Sequence, residues 1–283
     1  MPKVFQANVD FLKREFDLKV AIQQIQDYNY SGALITLEAN QLLTDEVKAL
    51  LQYGYYRMAR DFDRAFSSLS IVKNPIDRPP GGAEHHQRWM QEIAQLRQKQ
   101  PRAQLQEAYF NALTRLKNRK YADFLIELFG LQENLLRWLV QKQTGLELTG
   151  DRAQAAQMWA QIKQFDQGKL FRHLQNYTLP KGGRLRVEES ISRYVMIAIL
   201  TYFPTLADIL PAIKYLNDYC DLRNRSVHEF IGVSEIQDQA KLLSTLNSLM
   251  KRAVQISNHN PFDQLNQQLC ELLNQGLPSA AKN

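Results

Sequence analysis

The stretch Phe124-Leu125-Ile126-Glu127-Leu128-Phe129-Gly130-Leu131-Gln132-Glu133-Asn134-Leu135-Leu136-Arg137-Trp138-Leu139 sets apolar residues at steps of three and four: Phe124, Leu128, Leu131, Leu135 and Leu139. This rhythm matches the turn of an α-helix and lays one apolar stripe along its face, until Gly145 ends it. The same period recurs on either side. Val195, Ile199 and Tyr202 form a second apolar face that stops at Pro204. Ser234-Glu235-Ile236-Gln237 reads as a capping box opening a helix that buries Leu242, Leu243, Leu246, Leu249 and Met250. Strand alternation is nearly absent, so the expected fold class is all-α.

The 283 residues are 45% hydrophobic, 10% aromatic and 23% charged, enough to bury one large core or two smaller ones and too apolar for disorder. Formal net charge is +6, which suits a polyanionic partner without naming one. The two cysteines, Cys220 and Cys270, form no CxxC pair and no zinc spacing, and are expected as buried thiols in a reducing compartment. The most apolar run, Tyr194 to Phe203, is about half of what a bilayer requires, and no secretory leader is visible. Cytoplasmic location without membrane attachment is the expectation.

Asn74-Pro75-Ile76-Asp77-Arg78-Pro79-Pro80-Gly81-Gly82 reads as a linker. It divides an N-terminal helical region, 1–73, from a connecting segment, 74–100, a main helical domain, 101–260, and a C-terminal helix and tail, 261–283. Within the first region, Asp27-Tyr28-Asn29-Tyr30-Ser31-Gly32-Ala33 and Asp61-Phe62-Asp63-Arg64-Ala65 hint at repetition, read as a packed helical layer and not as a solenoid. Leu179-Pro180-Lys181-Gly182-Gly183-Arg184-Leu185-Arg186 is a basic turn between helices. Its plainer reading is a solvated loop; the functional one makes Lys181, Arg184 and Arg186 phosphate contacts.

The chemically pointed segment is Arg223-Asn224-Arg225-Ser226-Val227-His228. Arginine followed at a distance by histidine is common, and Arg78 with His85 or Arg252 with His259 satisfies a looser rule. Those two pairs fall in the linker and at a helix end. Only Arg223 and His228 enclose an asparagine directly after the arginine, between two confident helices.

Arg-Asn-x-x-x-His at this position resembles the signature of HEPN ribonucleases, most closely the accessory ribonucleases of type III CRISPR systems, in which a HEPN domain follows a nucleotide-sensing CARF domain. Asp27 to Leu34 resembles the start of that group's helical region. Tyr121-Ala122-Asp123-Phe124, leading to Leu135-Leu136-Arg137, resembles its first long HEPN helix. The resemblance implies a HEPN-like helical bundle with an added N-terminal helical layer, a homodimer, and cleavage of single-stranded RNA. No βαβ pattern occurs, so no nucleotide-sensor domain is expected within this chain: it is a stand-alone HEPN protein or the effector part of a longer one.

The residues suit that chemistry. RNA transesterification requires a deprotonated 2′-hydroxyl, a protonated leaving oxygen and a stabilised phosphorus centre. Histidine exchanges protons near neutrality, and arginine offers a permanent charge in a fork matching two phosphate oxygens. Asn224 and His228, four apart, share a helix face. His228 is therefore read as acid/base, Arg223 as transition-state stabiliser and Asn224 as orienter, with Arg225 and Ser226 as auxiliary RNA contacts. The bland alternative is a histidine cap with Arg223 paired to Asp218 or Asp221. No metal or cofactor is called for: phosphate loops, HExxH, EF-hand loops and nucleophile elbows are all missing from the sequence. Two further readings stay open, a catalytically silent HEPN-like scaffold binding RNA or protein, and the toxin of a toxin–antitoxin pair.

Overall fold

The computed structural model describes the backbone of residues 2–72, 82–148, 152–180, 182–228 and 232–275, and the side chains of these apart from 2–10 and 220–228. The linker 73–81 and Lys181 lie outside the described residues. In chain order the helices are α1 (Pro2–Gln26), α2 (Tyr30–Ala39), α3 (Asp45–Met58), α4 (Phe62–Ser70), α5 (Gly82–Arg97), α6 (Pro101–Lys117), α7 (Tyr121–Thr144), α8 (Ala155–Gln164), α9 (Lys169–Asn176), α10 (Arg193–Thr201), α11 (Leu210–His228), α12 (Gln239–Ala253) and α13 (Pro261–Gln275). Among the described residues there is no strand, only an isolated bridge between Thr178 and Arg184. The all-α expectation holds. No helix among the described residues is long and apolar enough to cross a membrane.

The chain forms two compact units, one of Met1–Gln104 with Asn258–Asn283, the other of Leu105–Ser257. In the first, α1 to α5 pack each against the next, and α13 packs on α1, α3 and α5. The sequence repetition has a local cause. Tyr28 and Arg60 both adopt left-handed φ, 56° and 61°. Each closes the preceding helix with paired backbone bonds: Tyr28 N to Ile25 O at 2.9 Å and Asn29 N to Gln24 O at 2.8 Å, then Arg60 N to Arg57 O at 3.0 Å and Asp61 N to Tyr56 O at 2.9 Å. The next residue caps the following helix, Asn29 accepting from Gly32 N and Asp61 from Arg64 N, both at 3.1 Å.

Aromatic and polar groups together seat α13. The Tyr30 hydroxyl donates to Asn266 Oδ1 at 2.7 Å, and Tyr28 donates to Asp263. Arg57, 2% exposed, pairs with Glu92 at 2.9 Å, donates to the Tyr53 hydroxyl and lies 5.3 Å from the Phe262 ring centre. A buried guanidinium needs such compensation, because an unpaired charge there is costly. Gly54 permits the close approach: a Cβ at this position would stand 2.8 Å from Leu265 and from the Tyr30 ring.

In the second unit α7 packs along α11 and α10, and α12 packs on α11. Phe124, Leu128, Leu131, Leu135 and Leu139 are all buried, and Gly145, at φ 73°, ends α7 by donating to Gln141 O. The sequence assigned α10 a single apolar face, but Val195 to Leu200 are buried without exception. A helix apolar all round belongs inside a core, which accounts for the most hydrophobic run of the chain.

The capping box is a correction. Helix α12 begins at Gln239, after Asp238 at φ 51°, with no side-chain cap bond. Ser234–Gln237 lie in the non-helical segment before it, held there by tertiary contacts: Ile236 is buried and the Gln237 carbonyl accepts from the Tyr219 hydroxyl at 3.1 Å. Burial and anchoring outweighed a local helix signal of about 1 kcal/mol. The buried side of α12 is otherwise as read, with Leu242, Leu246, Leu249 and Met250 inside and Leu243 only half-buried.

Candidate functional site

Helix α11 carries the motif, and its position is fixed from its first half. Ile213, Leu216 and Asn217 are buried. Gln132 of α7 locks this stretch. Its Nε2 donates to the Ile213 carbonyl at 3.1 Å, and its Oε1 accepts from Arg193 Nη1 of α10 at 3.1 Å. The Arg193 guanidinium in turn lies 4.6 Å from the Phe129 ring centre. One buried amide thus joins the three central helices, a polar contact that also fixes their register.

The outer side of α11 is tied by tyrosines. Tyr219 donates to Gln237 O and stands 3.0 Å from the Tyr215 hydroxyl, which leaves Tyr215 as donor between the two. Burial, then the bond to Tyr215, raises the Tyr219 hydroxyl above the ordinary tyrosine range. Lys241 of α12 lies 5.0 Å over the Tyr215 ring.

Beyond these anchors the backbone of α11 continues unbroken to His228. The motif therefore occupies the final turns of one regular helix. At about 100° per residue, Asn224 falls within ~20° and His228 within ~60° of the direction of buried Ile213, while Arg223 lies ~80° to the other side. Asn224 and His228 share a face, as the four-residue spacing required. The side chains of Arg223, Asn224, Arg225, Ser226 and His228 lie outside the described residues. Asn217, two turns before Asn224 on the same line, is 6% exposed, and its Oδ1 has no hydrogen-bond partner among the described residues.

The basic turn after α9 is a tight hairpin: Leu179 N donates to Gly183 O at 3.0 Å and Leu185 N to Tyr177 O at 3.1 Å. Gly182 and Gly183 supply φ values of 85° and 86°. Arg184 and Arg186 are exposed, the latter 4.0 Å from Glu189. Other histidines serve structure. His86 Nε2 lies 3.0 Å from Leu69 O, His173 Nε2 3.0 Å from Thr201 Oγ1, and His85 stacks on Trp89 at 5.8 Å. Among the described residues no group of three or more histidines, cysteines or carboxylates converges on a metal position.

The sequence reading missed Gln132, because a polar residue inside an apolar stripe carries no signal until its partners are known. Gln132→Leu removes a donor from Ile213 and an acceptor from Arg193, and is expected to cost about 1–3 kcal/mol. Urea unfolding checks this, with a lowered midpoint at unchanged slope.

The chain was compared with known families and proteins. The model of the family described as Cas_Csm6 HEPN domain matches residues 94–270, more than half of the 283 residues. No curated protein and no solved structure matches the chain. The matched span contains α7, the α11 motif and the Gln132 lock between them, and the chain belongs to the Cas_Csm6 HEPN domain family of CRISPR-associated proteins.

Proposed function

We propose that this protein is a metal-independent endoribonuclease that cleaves single-stranded RNA in the cytoplasm, as an effector of CRISPR-associated antiviral defence. The observation that carries the reading is Arg223-Asn224-x-x-x-His228 on the last turns of one unbroken helix, in a chain of a HEPN family. His228 acts as acid/base, Asn224 orients its imidazole from four residues away, and Arg223 meets the charge that develops on the phosphorane. The nucleophile is the substrate's own 2′-hydroxyl. Arg225, Ser226, Lys181, Arg184 and Arg186 are the auxiliary RNA contacts of this reading.

The working form is a homodimer. Five residues of a continuous helix place Arg223 and His228 roughly 140° apart, so one helix does not turn both toward the same phosphate. A two-fold axis beside the motif lets the two protomers border a shared cleft from opposite walls.

One assay tests both statements. An unstructured RNA and its 2′-deoxy counterpart are incubated with the protein in excess chelator, over a dilution series of known oligomeric mass. The RNA is expected to yield 2′,3′-cyclic phosphate and 5′-hydroxyl ends, the deoxy strand to stay intact, and specific activity to fall as the dimer dissociates. Complete inhibition by chelator, or cutting of the deoxy strand, sinks the chemistry. Full specific activity from a monomer sinks the composite site.

A further inference from the structure

The turn between α6 and α7 reads Arg115-Leu116-Lys117-Asn118-Arg119-Lys120, four cations in six residues. It has the same backbone as the turns before α2 and α4. Arg119 is left-handed at φ 56°, its N–H reaches Leu116 O at 3.0 Å, and Lys120 N reaches Arg115 O at 2.9 Å. The side chains differ. Where Asn29 and Asp61 supply an oxygen that caps the next helix, the equivalent residue here is Lys120, which has no acceptor and makes no cap bond. Lys117, Arg119 and Lys120 are exposed, and the carboxylate nearest along the chain is Asp123.

The topology of the second unit places this turn at the motif's end of the bundle. Helices α11 and α12 are antiparallel, since Asp208 meets Arg252 at 3.4 Å while Tyr219 meets Gln237. Helices α12 and α6 are antiparallel as well, since Tyr109 meets Asn247 at 3.3 Å and Gln106 meets Ser257 at 3.4 Å. The tight turn reverses α6 into α7. Three reversals leave α7 antiparallel to α11, and the Gln132–Ile213 bond sets their register. Asn224 lies eleven residues after Ile213 (224 − 213), and Tyr121 eleven before Gln132 (132 − 121). Both are about 16 Å from that bond toward the same end.

Resting on the ribonuclease reading above, we propose that Lys117, Arg119 and Lys120 form a phosphate-contacting platform that holds single-stranded RNA beside the Arg223–His228 motif. Exposed cations one after another on a turn fit the repeating charge of a nucleic-acid backbone, and such contacts bind without selecting sequence. The platform binds and positions RNA; it takes no part in proton transfer.

The test is a triple variant, Lys117→Gln, Arg119→Asn and Lys120→Asn, in the full chain. Asparagine tolerates the left-handed position and restores the helix cap, so three charges leave without loss of fold. Binding of a fluorescent 20-mer of unstructured RNA is measured over a salt series, with His228→Ala present in both arms to prevent cleavage. Affinity is expected to fall about tenfold or more at low salt, and the slope of log K against log salt to shrink by ~0.7 for each phosphate that is no longer neutralised. With His228 intact, KM rises while kcat at saturating RNA stays within about twofold. Unchanged affinity and slope overturn the platform. So does an equal loss of affinity for polyglutamate, which marks a general acidic-polymer surface. The two readings fail separately: if the unmodified chain binds RNA without cutting it, the nuclease reading falls while the binding arm still judges the platform.

Discussion

His228→Ala is expected to lower the rate of RNA cleavage by ~10²–10⁴, with thermal unfolding close to that of the unmodified protein. The loss follows from removing the only side chain of the motif that exchanges protons near neutral pH. The fold is expected to survive because His228 is the last residue of α11, and alanine is the strongest helix former. The anchors that hold the helix, Gln132 to Ile213 and Tyr219 to Gln237, lie nine or more residues earlier (228 − 219). Single-turnover cleavage alongside a melting curve checks this. In the unmodified enzyme the pH–rate profile should also carry one limb near the ordinary histidine range, about 6.5, which disappears in the variant. Cleavage at the unmodified rate by the variant overturns the site.

Arg223→Ala is expected to cost roughly 10²–10³ in kcat, with a much smaller change in RNA affinity. The guanidinium acts where charge develops in the transition state, so its loss falls on the chemical step, whereas the turn at Lys117–Lys120 carries ground-state binding. Arg223→Lys separates charge from shape. An ammonium keeps the positive charge but loses the planar fork, so recovery is expected to be partial. A large rise in KM with kcat preserved would reassign Arg223 to substrate binding. Measuring kcat and KM for both variants in the same buffer decides between these roles.

Much of the fold is legible in the sequence. The α7 stripe, the α10 and α12 apolar residues and the stop at Gly145 follow from helix periodicity and terminator chemistry, both local properties of the chain. Sequence and structure part where a distant partner overrides local preference. The Ser234–Gln237 capping box is sound as sequence, yet Tyr219 and the burial of Ile236 hold that segment out of the helix. The repetition near Asp27 and Asp61 is visible as pattern, but its meaning, one left-handed turn with an Asn or Asp cap, needs backbone angles.

The sequence by itself determined the helical class, the apolar faces and the Arg223-Asn224-x-x-x-His228 spacing, because each depends on residues within a few turns of one another. Tertiary structure alone decided that α11 runs unbroken through that motif, that Gln132 links α7, α10 and α11, and that the cationic α6–α7 turn comes to the motif's end of the bundle. Those relations join residues about 80 to 100 positions apart. They are set by which buried polar atoms find partners across the core, and no local pattern encodes that choice.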